Sequence, residues 1–152
     1  MSKANRKSPA IIFDLGGVLI DWNPRHLYRT LLDGDRAVEE FLLKIGFTEW
    51  NHEQDKGRPF AKAVAELSAK FPEYHDLIAA YDLRYEESLG GAIQPTVDIL
   101  WRLKQAGYAL YALSNWNDAK FQMVRRRYAF LDWFQSIFIS GDMKLAKPDP
   151  QI

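Results

Sequence analysis

The sequence predicts an α/β fold: a parallel sheet with helices on both faces and an all-helical segment inserted into it. Three observations predict this. Apolar runs of strand length lie at 10–13, 108–113 and 136–140. Amphipathic stretches separate these runs, and strands alternating with helices imply parallel pairing through crossovers. Residues 23–89 read as a helical insert of four amphipathic stretches split by Gly, Pro and Asp breaks, with no convincing strand.

The elements follow in order. Residues 1–8 are basic and polar and read as a flexible tail, since no long apolar core follows to make a signal peptide. Ala10 to Phe13 is apolar at successive positions, which reads as a strand buried on both faces. Residues 9–22 and 90–152 then form the α/β core, and 23–89 a helical cap. In the cap, "PRHLYRTLL", "DRAVEEFLLKIG", "RPFAKAVAELSAKF" and "EYHDLIAAYDLRYEESL" read as amphipathic helices. "QPTVDILWRLKQAG" opens with Pro95 near a helix start and closes on Gly107, with Val97, Leu100 and Leu103 facing inward. "YALYAL" is the second strand. "NDAKFQMVRRRYAF" reads as one helix with Phe121, Val124 and Tyr128 on one side, and "SIFIS" as the third strand.

Composition narrows the function. The chain has 152 residues, enough for one domain or a core with a small insert, and 47% of them are hydrophobic. Twenty basic residues balance twenty acidic ones, so no basic field attracts nucleic acid or an anionic membrane. No apolar run approaches the roughly 18 residues of a membrane span. The absence of cysteine excludes disulfides, zinc–thiolate sites and a thiol nucleophile, and a cytoplasmic location is the expectation. His26, His52 and His75 lack ligand-like spacing and read as surface or partly buried side chains.

In parallel α/β sheets, ligands bind beyond the carboxyl ends of the strands. Asp14 ends the first strand, Ser114 and Asn115 end the second, and the third leads into "SGDMKLAKPDP" with Lys147. Singly, each is an ordinary turn, cap or loop residue. On three successive strand ends they make a site. Asp14 offers a nucleophile, a metal ligand, or both. Gly16 and Gly17 let the backbone turn sharply and approach a ligand, so Gly17 joins the substrate-binding candidates. Ser114 suits a phosphoryl oxygen, and Lys147, before Pro148, suits neutralising nucleophile and phosphate. Mg²⁺ bridging carboxylate and phosphate would complete an in-line displacement site.

On these residues the sequence resembles the haloacid dehalogenase-like hydrolase superfamily. "FDLGGVL" looks like its first motif, "ALSNW" its second and "SGDMKLAKPDP" its lysine-bearing third. The resemblance implies a Rossmann-like sheet with a helical cap after the first motif. It also implies Asp14 as nucleophile, Ser114 as the phosphate contact and Lys147, ahead of Lys144, as the neutralising lysine. Asn115 and Arg25, the latter at the cap entrance, are substrate-binding candidates. A small phosphorylated molecule is the implied substrate and Mg²⁺ the cofactor.

Two departures qualify the match. Phosphatases of this family carry a second aspartate two residues after the nucleophile, as general acid, and here that residue is Gly16. Its backbone carbonyl remains a Mg²⁺ ligand, but no side chain there donates a proton, and Asp21 is the nearest acid downstream. This favours the alternative of a 2-haloacid dehalogenase, in which halide leaves unprotonated. Gly-Gly-Val in place of the dehalogenase aromatic and Gly-Thr weighs against it. The chain also stops at "KPDPQI", where the family pattern continues with a helix and an acidic strand. The expectation is therefore a front portion of a longer protein, the C-terminal part of its sheet missing, and weak or no activity. An exposed edge on the first strand would then allow self-association. The competing class is a non-catalytic interaction domain anchored by Trp22, Trp50, Trp101, Trp116 or Trp133. A nucleotide-binding module lacks its Gly-rich fingerprint with a following lysine.

Overall fold

The computed structural model describes residues 9–152; the tail expected at 1–8 lies outside the described residues. The core elements are β1 (Ala10–Phe13), α6 (Gln94–Gln105), β4 (Ala109–Ser114), α7 (Asp118–Val124), β5 (Ser136–Ile139) and α8 (Ser140–Met143). Between β1 and α6 the chain forms β2 (Ile20–Trp22), then α1 (Pro24–Tyr28), α2 (Gly34–Lys44), α3 (Phe47–Asp55), α4 (Phe60–Lys70) and α5 (His75–Leu83), and returns through β3 (Leu89–Ala92). None of the helices is long and apolar enough to cross a membrane, among the described residues.

β1, β4 and β5 pair in parallel in that order, with Ala10 opposite Ala109 and Ala112 opposite Ile137. The strands step across the sheet in one direction, so right-handed crossovers bring α6 and α7 to the same face. On that face Leu110, Ala112 and Ile139 are buried, and Ile11 and Phe13 pack against the core. On the other face Ile12 is 65% exposed and Phe138 46%. The apolar run of β1 is thus half-buried on one face and exposed on the other in the described residues. Side chains alternate across a strand, and the helices present cover a single side.

The insert holds features the periodicity did not reveal. β2 and β3 pair antiparallel where the chain leaves and re-enters the core, with Ile20 opposite Ala92 and Trp22 opposite Leu89. Gly90 lets them meet, because a Cβ there would stand 2.1 Å from Asp21 Oδ2. That carboxylate pairs with His26 Nε2 at 2.9 Å. α3 was also unforeseen. It buries Asn51 and Gln54 beside Phe47 and Trp50, so its inward face carries no continuous apolar stripe. The cap centres on aromatic rings: Tyr28 meets Phe41 edge-on at 4.8 Å and Phe47 meets Tyr81 at 4.9 Å.

The helix expected over 117–130 ends early. α7 stops at Val124, a 3₁₀ turn holds Arg125–Arg127, and Tyr128 is extended before a second 3₁₀ turn over Ala129–Trp133. The break buries Phe130 and Leu131, which a continued helix would have spread around its circumference.

Cap and core are joined by polar bonds from α7 and the loop before it. Asn117 caps α7 by accepting from the Lys120 amide at 3.1 Å, and its side-chain NH₂ donates to the Gln54 carbonyl at 3.0 Å. Lys120, only 8% exposed, donates to the Asp82 carboxylate at 2.5 Å and to its carbonyl at 2.7 Å. Its ammonium also stands over the Phe60 ring. Lys120→Ala leaves Asp82 unpaired beside the core, so we predict a loss of roughly 1.5–3 kcal/mol, read from urea unfolding.

Candidate active site

Asp14 follows β1 directly, and its carboxylate receives donors from three segments. The Leu15 amide and the Ser114 hydroxyl donate to Oδ1 at 2.7 and 2.8 Å. Lys147 Nζ donates to Oδ2 at 2.6 Å and to the Leu113 carbonyl at 3.0 Å. Asn115 secures the lysine's backbone: its Oδ1 accepts from the Lys147 amide at 2.8 Å and its NH₂ donates to the Lys147 carbonyl at 3.0 Å. An anion and a cation lie side by side at the strand ends.

The turn after Asp14 explains its glycines. Gly17 has φ 74°, a conformation that strains any side chain, and its amide donates to the Ile20 carbonyl at 2.8 Å. The amides of Leu19 and Ile20 fold back onto the Leu15 carbonyl. Gly17 therefore shapes the turn with its amide engaged internally, while Gly16 faces the cavity.

That cavity, about 220 Å³, is lined by Asp14, Gly16, Ser114, Asn115 and Lys147 from the core. From the insert side it is closed by Trp22, Asn51, Asp55 and Tyr85, and Trp116 completes the wall. Five sequence candidates thus share one wall. Arg25 does not: its guanidinium is forked onto Glu39, and it lines a larger adjoining groove of about 820 Å³. Asp21 is held by His26 at the β2–β3 pair, away from this wall. Lys144 approaches Gly57, where a Cβ would stand 2.3 Å from its Nζ.

Sequence reading missed Asp55, the last residue of α3. Burial pushes its carboxyl up to about 7. Asn51 donates to it at 3.3 Å, and no cation pairs with it among the described residues. The usable signal was the four-residue spacing of Asn51 and Asp55, which places both on one helix face. Trp22 and Trp116 enter the sequence reading only as anchor candidates of an interaction domain. Their indole N–H groups are buried without an acceptor among the described residues, so the wall carries unsatisfied donors.

The oxygen donors suit a hard cation. No cluster of three or more His, Asp or Glu side chains is present among the described residues. Mg²⁺ commonly takes one or two carboxylates, keeps several waters and shares substrate phosphate oxygens. Asp14, on the core side of the cavity, is one such carboxylate.

Comparison with known proteins identifies relatives of the chain. The family model for haloacid dehalogenase-like hydrolases matches residues 9–152. A sesquiterpene phosphatase from Aspergillus oryzae is 28% identical over 144 residues, 92% of this chain and 68% of that protein. A HAD family enzyme from Bacteroides thetaiotaomicron superposes with a TM-score of 0.66 at 22% identity, over 96% of this chain and 75% of that one. The wild-type form of that enzyme in complex with magnesium and inorganic phosphate matches at 0.61 and 25% identity, over 95% and 74%.

The raised carboxyl of Asp55 makes stability pH-dependent with a definite sign. The unfolded chain ionises Asp55 near 3.8 and the folded one near 7. Its stabilising contribution is therefore complete below about 4, declines as pH rises to about 7, and is level above that. The decline amounts to at most about 4 kcal/mol. Urea unfolding at pH 5 and pH 8 should show Asp55→Asn relatively more stable at the higher pH, with that part of the slope removed.

Proposed function

The chain belongs to the haloacid dehalogenase-like hydrolase family, and on that premise we propose that it hydrolyses phosphomonoesters through an aspartyl-phosphate on Asp14. The observation that carries this reading is the Asp14 carboxylate held between Lys147 and Ser114 on the wall of a phosphate-sized cavity. The kinship with a phosphatase, and with an enzyme crystallised with magnesium and phosphate, supports the same choice over dehalogenation.

In this reading Asp14 attacks phosphorus in line and the ester oxygen leaves. Water then attacks the aspartyl-phosphate and restores the carboxylate. Lys147 neutralises charge that Asp14 and the phosphoryl group would otherwise place side by side. The Ser114 hydroxyl, which donates its one proton to the Asp14 carboxylate at rest, turns it to a phosphoryl oxygen as phosphate enters. Asn115, by holding both backbone polar groups of Lys147, keeps the ammonium in place. Mg²⁺ held by Asp14 and the Gly16 carbonyl would supply charge neutralisation and orientation of the phosphoryl group.

The adjoining groove bears on substrate choice. Trp22, Asn51 and Asp55 are common to the groove and the Asp14 cavity, and Leu42, Leu43 and Phe47 continue the groove's wall. A phosphate seated at Asp14 thus has beside it a groove whose apolar strip lies among charged residues, Arg25, Glu39, Glu49 and Glu53, and the strip suits the apolar part of a monoester's alcohol. The phosphatase relative is named for such a substrate class.

Two measurements test the reading. Turnover of an aryl phosphate should require Mg²⁺, stop on EDTA addition, and vanish in Asp14→Asn. Lys147→Ala should lower kcat by about 10²–10³. Activity that survives Asp14→Asn would refute the covalent route.

A further inference from the structure

We propose that Asp55, delivered from the cap, is the general acid that protonates the departing ester oxygen in place of the carboxylate absent at position 16. The inference rests on the phosphomonoester reading and identifies a catalytic residue within it. Asp55 and Asp14 line the same cavity of about 220 Å³, from opposite partners: α3 of the cap and β1 of the core. The leaving group points away from the nucleophile in an in-line displacement, and the cap closes that side.

Three features prepare Asp55 for the task. First, no cation pairs with it among the described residues, and the groups around it are the Asn51 amide and the phenols of Tyr81 and Tyr85. Burial among them favours the protonated form, as the raised carboxyl records. Second, its backbone is pinned to the core although its helix belongs to the cap. The Ser140 hydroxyl donates to the Asp55 carbonyl at 2.5 Å, and Asn117 holds the carbonyl of Gln54. Third, a glycine permits that seam: a Cβ on Gly57 would stand 2.7 Å from the Gly141 carbonyl.

The proton balance closes over two steps. As Asp14 forms its bond to phosphorus, the P–O ester bond breaks and its electron pair stays on oxygen. That oxygen takes the Asp55 proton, and the alcohol departs. The Asp55 carboxylate then accepts a proton from the water that attacks the aspartyl-phosphate, releasing phosphate and regenerating the acid.

The test compares leaving groups. The wild-type chain, Asp55→Asn and Asp55→Glu are assayed with p-nitrophenyl phosphate, whose leaving group needs no proton, and with a primary alkyl phosphate, whose leaving group does. Asp55→Asn should lower kcat/KM on the alkyl ester by about 10²-fold or more and on the aryl ester by at most a few-fold. Asp55→Glu should recover at least part of the alkyl activity. Thermal melts of each variant separate misfolding from lost chemistry, and Asp55→Glu carries the comparison if Asp55→Asn is unfolded. Equal losses on both esters, or none on the alkyl ester, overturn the role of Asp55 and leave the hydrolase reading intact. A wild type inert toward both esters overturns the hydrolase reading and this role together.

Discussion

The ion pair between Asp14 and Lys147 is the constraint around which the rest is arranged. The Asp14 carboxylate, at a strand end and 38% exposed, is partly desolvated, and Lys147 supplies its counter-charge. The structure brings that charge from 133 residues along the chain. For the pair to form, β1 and β4 must stand in register, so that the Leu113 carbonyl can also anchor the ammonium. The loop carrying Lys147 must also be fixed, which is the work of Asn115. Sheet order, loop geometry and site chemistry therefore depend on one another.

Much of this was legible in the amino-acid sequence because its signals are local. β1, β4 and β5 announce themselves as apolar runs, and α6 by its stripe of Val97, Leu100 and Leu103 between Pro95 and Gly107. Asp14, Ser114 and Lys147 could be placed together since parallel strands bring their carboxyl ends to one rim. What escaped depends on partners distant in the chain. β2 and β3 are a few residues each, and only their mutual pairing makes them strands. α3 turns Asn51, Gln54 and Asp55 inward, and polar residues at inward positions hide a helix from a reading based on apolar period. α7 ends early because burying Phe130 and Leu131 outweighs helix continuation past three arginines.

Cap and core meet through backbone as much as through side chains. Gly57 removes the atom that would hold the two apart, while Ser140, Asn117 and Lys120 supply the bonds. Asn51 and Asp55, which the cap presents to the cavity, sit on a helix whose last two carbonyls are bonded to the core.

The pairing of Ala10 with Ala109 also carries a consequence for assembly. Most cap contacts are between helices near one another in the chain, so they can form early, whereas β1 must wait for the sheet partner that follows the whole cap. Folding would then proceed from the middle outward. The charged site would be its last product, completed when the ammonium of Lys147 reaches a carboxylate made near the start of synthesis.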